Sequence, residues 1–294
     1  MSSHGHRSIV VEGGAMRGIF AAGVLDGFMR EAFKPFDFAI GVSSGSTNLI
    51  GYLTGDYQRS YRILTELAQS KHFIDPIRGM LGGHLCDVEW LWRTSYDTIE
   101  LHLERYLQQR IPLYAVTTRV EDGAPCYIEV TEQNLHQLFP ASCAIPIAFR
   151  DFPEVDGVAM TDGGVADSIP VVKAYEMGAR EITVVLSRAE GYRKTGSRTL
   201  GFTRRLLSHY PKLCDAIEAR AERYNATIDF INSPPSDCTI HVIAPPKDMP
   251  VGRFTRQRER LEVGYNAGLR AAFEHIDKLS GAQPIARQPE TLAQ

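Results

Sequence analysis

Gly41-Val42-Ser43-Ser44-Gly45 limits what this chain can fold into more than any other five residues. The stretch reads G-x-S-x-G and follows an apolar run at 36–42 that predicts a buried strand. A helix-like pattern at 47–53 comes after it. Flanking glycines let such a turn be sharp enough to lift Ser43 clear of its neighbours, and the helix points its positive end at the hydroxyl. Close packing of small residues for steric reasons alone would produce the same letters.

A second unit of this kind stands upstream. Residues 8–12 form a β-branched run ending at Gly13-Gly14. From Met16 the apolar positions Phe20, Val24, Phe28 and Ala21, Leu25, Ala32 repeat with helical spacing. Two strand–turn–helix units in tandem predict the opening of a parallel sheet with crossover helices, an α/β fold. Further strands are expected at 114–118, 127–130, 158–161, 181–187 and 239–244. Helices are expected at 57–69, 97–109, from about Pro170, over 200–232 and over 254–279. Asp156-Gly157 predicts a tight turn.

Composition sets the outer limits. A chain of 294 residues, 44% hydrophobic and 23% charged, suits one globular domain, taken as 1–280, with a loose tail at 281–294. A net charge of −3 offers no basic face for nucleic acid. No apolar run reaches the ~18 residues of a membrane span and no leader pattern opens the chain. A cytoplasmic protein that meets membranes only as a surface is therefore expected. Cysteines 86, 126, 143, 214 and 238 are odd in number and form no C-x-x-C pair, so neither disulfides nor zinc are expected. The sequon at Asn225 carries no weight.

Two more turns can carry chemistry. At Gly13-Gly14-Ala15-Met16-Arg17-Gly18 free backbone N–H groups converge ahead of a helix, which suits a phosphate, an oxyanion or simply a tight turn. The order departs from G-x-G-x-x-G and no Walker lysine follows. Asp162-Gly163-Gly164 puts a carboxylate at a strand end beside two residues without side chains, an arrangement equally common in plain loops.

Taken together, the three turns resemble the patatin-like phospholipase family, which includes the catalytic region of cytosolic phospholipases A. That family carries G-G-G-x-[RK]-G, then G-x-S-x-G, then D-G-[GA] more than a hundred residues later. Here the order is Gly13, Gly14, Ala15, Arg17, Gly18; then Gly41, Ser43, Gly45; then Asp162, Gly163, Gly164. The segment Ser142-Cys143-Ala144-Ile145-Pro146 is similar to a small-residue stretch that lines the family's site. Ala15 replaces a glycine, which would be uncomfortable if a positive φ were needed there. The resemblance implies a three-layer α/β/α fold with a mostly parallel central sheet, a Ser43–Asp162 dyad, an oxyanion hole at Gly13, Gly14 and Ala15, a lipid acyl ester as substrate and no cofactor or metal.

Rival expectations follow from the same residues. A Ser–Asp–His triad would need His241 or His275, but the first sits in a strand-like run and the second in a helical pattern. A silent lipid-binding protein of the same fold, or a nucleotide site at Gly13, would leave Ser43 inert. Trp90 and Trp92 read as core residues more than as an acyl-pocket wall. Residues 200–224, with Arg204, Arg205, Lys212, Arg220 and Arg223 diluted by Glu218 and Glu222, read as a solvated helical face.

Overall fold

Successive residues of the first strand, β1 (His6–Val11), feed two different cores: Ile9 and Val11 face one, Val10 the other. This period of two recurs in β2 (Phe38–Val42) and β3 (Leu113–Arg119). Ala39, Leu113 and Ala115 join the first core and Ile40, Val42 and Val116 the second. A sheet buried on both faces must be covered twice, which makes three layers. The structure is a computed structural model and describes residues 5–196 and 200–281. Beyond Gly281, the tail expected at 281–294 lies outside the described residues.

The remaining strands are β4 (Pro125–Glu129), β5 (Glu154–Val155), β6 (Val158–Asp162), β7 (Ala179–Val185) and β8 (Thr239–Ile243). The sheet order is β5-β6-β3-β2-β1-β7-β8, with β4 also on β3. Pairs from β3 through β8 are parallel, whereas β4, β5 and β6 pair antiparallel. The sheet is thus mostly parallel, as expected. Asp156 and Gly157 both have positive φ, 52° and 75°, as a two-residue hairpin between β5 and β6 demands.

Helix α1 (Gly18–Arg30) and helix α2 (Ser44–Thr54) cover the first core, and the C-terminal helix Arg258–Ser280 packs along α1. Their contact is close. A Cβ on Gly23 would meet the Tyr265 carbonyl at 2.1 Å, and one on Gly268 the Phe20 carbonyl at 2.1 Å.

Two helical expectations are corrected, and a third, 200–232, is helical in three parts. The stretch 97–109 is the end of the helix Val88–Thr98 and a separate helix, Leu103–Gln108. Asp87 caps the first by accepting from the Trp90 N–H at 2.9 Å, and Asp56 holds the His102 N–H at 3.0 Å in the break. Residues 57–69 form one turn, Arg59–Arg62, followed by the π-helical turn Ile63–Leu67. Residues 200–232 divide into Leu200–Leu206, Pro211–Glu218 and Arg220–Asn232, with Pro211 at a first helical position.

Candidate active site

Strand register brings the three turns to one level. Val11 of β1 lies opposite Gly41, Val42 opposite Val116, and Thr117, the next residue of β3, opposite Asp162 on the same edge of β3, since β4 takes the other edge. The Gly13 turn, Ser43 and Asp162 therefore meet at the carboxyl ends of the parallel strands, where open α/β sheets form their crevices.

Ser43 has φ 52° and ψ −128°, a conformation that costs about 1–3 kcal/mol in a non-glycine residue. Its surroundings hold it there. The Ser43 N–H donates to Ser142 Oγ at 2.9 Å, Ser142 Oγ donates to the Val116 carbonyl at 2.7 Å, and Ser46 Oγ donates to the Ser43 carbonyl at 2.7 Å. The elbow also demands glycines. A Cβ on Gly45 would lie 2.3 Å from the Val11 carbonyl, and one on Gly41 2.5 Å from Ser46 Cα.

The Ser43 hydroxyl stands beside the buried Asp162 carboxylate, near enough to help lower its pKa. Asp162 also accepts from the Gly164 N–H at 2.8 Å, and Thr118 Oγ1 donates to its carbonyl at 2.9 Å. Burial pushes the Asp162 carboxyl up; Arg220, the Ser43 hydroxyl, the Gly164 N–H and Arg253 pull it back. Gly163 allows β6 to close on β3, because a Cβ there would meet the Val116 carbonyl at 2.2 Å.

In the first turn Ala15 does take a positive φ, 50°. The Gly14 N–H donates to Ser44 Oγ at 3.0 Å, whereas the N–H groups of Gly13 and Ala15 are not used in the turn's own hydrogen bonding. Arg17 is buried behind the turn and its Nε donates to the Ser187 carbonyl at 3.2 Å. Burial first, then the charges of Arg188 and Arg253, push its guanidinium down to about 10, while Glu12 opposes the shift. Gly18 brings α1 against α2, with Asn48 Nδ2 donating to its carbonyl at 2.8 Å.

Ser43 opens into a narrow apolar cavity of about 90 Å³, walled by Leu64, Phe73, Leu91, Trp92 and Phe139 among others. Trp92 is thus both core and cavity wall, while Trp90 stacks on His72 with ring centroids 5.4 Å apart. Among the described residues no histidine lines this cavity or acts on Asp162. His241 faces Glu181 at 3.3 Å, and His275 lies against His241 and the Phe28 and Phe33 rings.

Several partners escape sequence reading. Cys143 lines the cavity beside Ser43, and burial, with Asp162 adding to it, pushes its thiol up to about 12. Ser142 lies in the segment whose resemblance places it near the site, but its hold on the Ser43 N–H, like the holds of Ser44 and Asn48 on the first turn and helix, has no local signal. Arg220, expected on a solvated face, turns inward instead and acts on Asp162, whereas Arg223 stays exposed with its Nη2 donating to the Val165 carbonyl at 3.0 Å.

The patatin-like phospholipase family model matches residues 9–175, more than half of the chain. The chain belongs to the patatin-like phospholipase family. A second model, a domain of unknown function termed DUF6363, matches residues 210–281. The uncharacterized protein YjjU of Escherichia coli (strain K12) is 32% identical over 254 residues, which cover 83% of this chain and 70% of that protein. Among solved structures, VipD from Legionella pneumophila aligns with a TM-score of 0.46 at 12% identity, over 92% of this chain and 67% of VipD. Patatin-like phospholipases act on lipid esters, and this chain shares that general chemistry through its family. No helix among the described residues is long and apolar enough to cross a membrane.

Proposed function

We propose that this patatin-like protein is a serine acyl-hydrolase of phospholipase A or lysophospholipase type, working through Ser43 and Asp162. The observation that carries this is the strained, buried Ser43 beside the buried Asp162 carboxylate at the mouth of an apolar cavity. Asp162 takes the Ser43 proton as Oγ bonds to the ester carbonyl carbon. The alcohol then leaves with that proton and an acyl-enzyme remains. Water repeats the sequence: its proton passes through Asp162 to Ser43 Oγ as the fatty acid is released. An aspartate at its ordinary pKa would be a weak base, so its burial and the oxyanion donors must act together. The N–H groups of Gly13 and Ala15 serve as donors, and Gly14 joins them only if Ser44 Oγ swings away. One such donor is worth about 3–4 kcal/mol in the transition state.

Contact with a lipid surface is supported by Ile77, Met80 and Leu81, exposed by 64%, 78% and 83%, on and just after the short helix Pro76–Met80 that follows cavity residue Phe73. The test of the dyad is turnover of p-nitrophenyl acyl esters, together with fluorophosphonate labelling of Ser43. Ser43→Ala and Asp162→Asn are expected to lose turnover by at least about 10³-fold, and His241→Ala to keep it. A dead but folded His241→Ala would reinstate the triad, and an unlabelled, inactive wild type would favour a silent lipid-binding protein.

A further inference from the structure

A second recess adjoins the site on the Asp162 side. It is a cleft of about 510 Å³ lined by Arg17, Arg188, Tyr192, Lys194, Arg220 and Arg253, among others. Its lining carboxylate, Glu218, is already paired with Arg204. Among the described residues, Arg188, Lys194, Arg220 and Arg253 form no salt bridge, whereas the exposed Arg193 pairs with Asp229. Arg220 Nε is shut off from solvent without a hydrogen-bond partner. Lys194 Nζ lies 4.1 Å from the Tyr224 ring centroid, and the Arg188 guanidinium 4.7 Å from that of Tyr192. Behind the cleft stand two carboxylates, Glu12 and Asp162, facing five cations. Burial, followed by the charge of Arg220, pushes the Lys194 ammonium down to about 7. Crowding half-buried cations without an ion pair is costly unless an anion completes the site.

We propose that this cleft holds the phosphate of a glycerophosphate-type acyl ester, with its ester carbonyl at Ser43 and the first carbons of its acyl chain in the apolar cavity. The assignment rests on the acyl-hydrolase function and adds the place where the substrate's phosphate is held. It also gives the 210–281 segment a task, because Arg220 and Arg253 belong to it. Arginine forks and a lysine point charge are the usual partners of phosphate oxygens.

The test compares lysophosphatidate with the uncharged monoacylglycerol of the same chain length, in wild type, Arg253→Gln, Lys194→Met and the charge-conserving Arg253→Lys. Wild type is expected to prefer the phosphorylated ester in kcat/KM. That preference falls about tenfold in each neutralised variant, mainly through KM, and is largely retained in Arg253→Lys. An unchanged preference in both neutralised variants, folded by circular dichroism, overturns the proposal. Titration of lysophosphatidate and inorganic phosphate into Ser43→Ala separates binding from chemistry. If wild type cleaves neither ester but Ser43→Ala binds lysophosphatidate, and adding Arg253→Gln weakens that binding, the cleft stands and only the hydrolase assignment fails. Inorganic phosphate bound as tightly as the lipid marks a free-anion site and overturns the headgroup assignment. Binding of neither ligand overturns it outright.

Discussion

Ser43 and Ala15 both hold a positive φ, 52° and 50°, within a few ångströms of where chemistry is proposed. For Ser43 the strain aims the hydroxyl; for Ala15 it is a cost that glycine would avoid. Ala15→Gly is expected to raise stability by up to about 1 kcal/mol in urea unfolding, since relief of the αL penalty outweighs the extra freedom of the unfolded chain. Ser142 acts by supporting Ser43. Ser142→Ala leaves the buried Ser43 N–H without its acceptor and should cost about 1–3 kcal/mol of stability and lower kcat more than it raises KM. Asp162 sets the pH response: its carboxyl is raised by burial above the ordinary 3.8. The acid limb of kcat/KM should therefore have its midpoint above that value, with activity lost as pH falls through it. A limb at or below 3.8 would deny Asp162 the part of base.

Helix α1 and the C-terminal helix meet through a buried carboxyl. Tyr265 Oη donates to Asp26 Oδ2 at 2.7 Å and the Gln58 N–H to Oδ1 at 3.2 Å, yet burial wins and pushes Asp26 up to about 7. Below the ordinary 3.8 the group is neutral in folded and unfolded chains alike; as pH rises toward 7 the unfolded chain ionises first, so folding loses stability. His275 has the opposite slope. Burial, with His241 adding to it, pushes it down to about 4, so the unfolded chain takes its proton first as pH falls below 6.5. Comparison of wild type with Asp26→Asn separates the two: the variant should gain on wild type as pH rises between 3.8 and about 7, and parallel curves would place Asp26 outside the balance. At the end of the short helix Pro76–Met80, Met80→Ser with Leu81→Ser should weaken flotation with lipid vesicles while leaving p-nitrophenyl ester turnover in solution intact.

At the scale of the molecule, β1 lies between β2 and β7, and α1 lies under the C-terminal helix. We propose that residues 1–280 fold as one domain, although the patatin-like match ends at residue 175. A fragment ending at 175 would expose one edge of β1 and the α1 face that receives Tyr265 and Leu269. It should lack a cooperative unfolding transition in urea, and a folded, soluble fragment would refute the single-domain proposal.

Local chemistry determined much of this protein in advance. The strands around Ser43, the elbow, the Asp156-Gly157 hairpin and the Asp162 turn each depend on residues within a few positions of one another, and short-range periodicity and turn stereochemistry record such dependence directly. The positive φ at Ala15 was legible only as a conditional cost, because the alanine itself gives no sign of the backbone that the turn imposes. Tertiary structure alone decided that Ser142 and Ser44 hold the two turns, that Cys143 lies beside Ser43, and that Arg220 faces Asp162 rather than water. Those contacts join positions 30 to nearly 100 residues apart or more, set by strand register and helix docking. An arginine in a mixed-charge helix looks the same in sequence whether it faces solvent or an active-site carboxylate, because burial is a property of the packed chain.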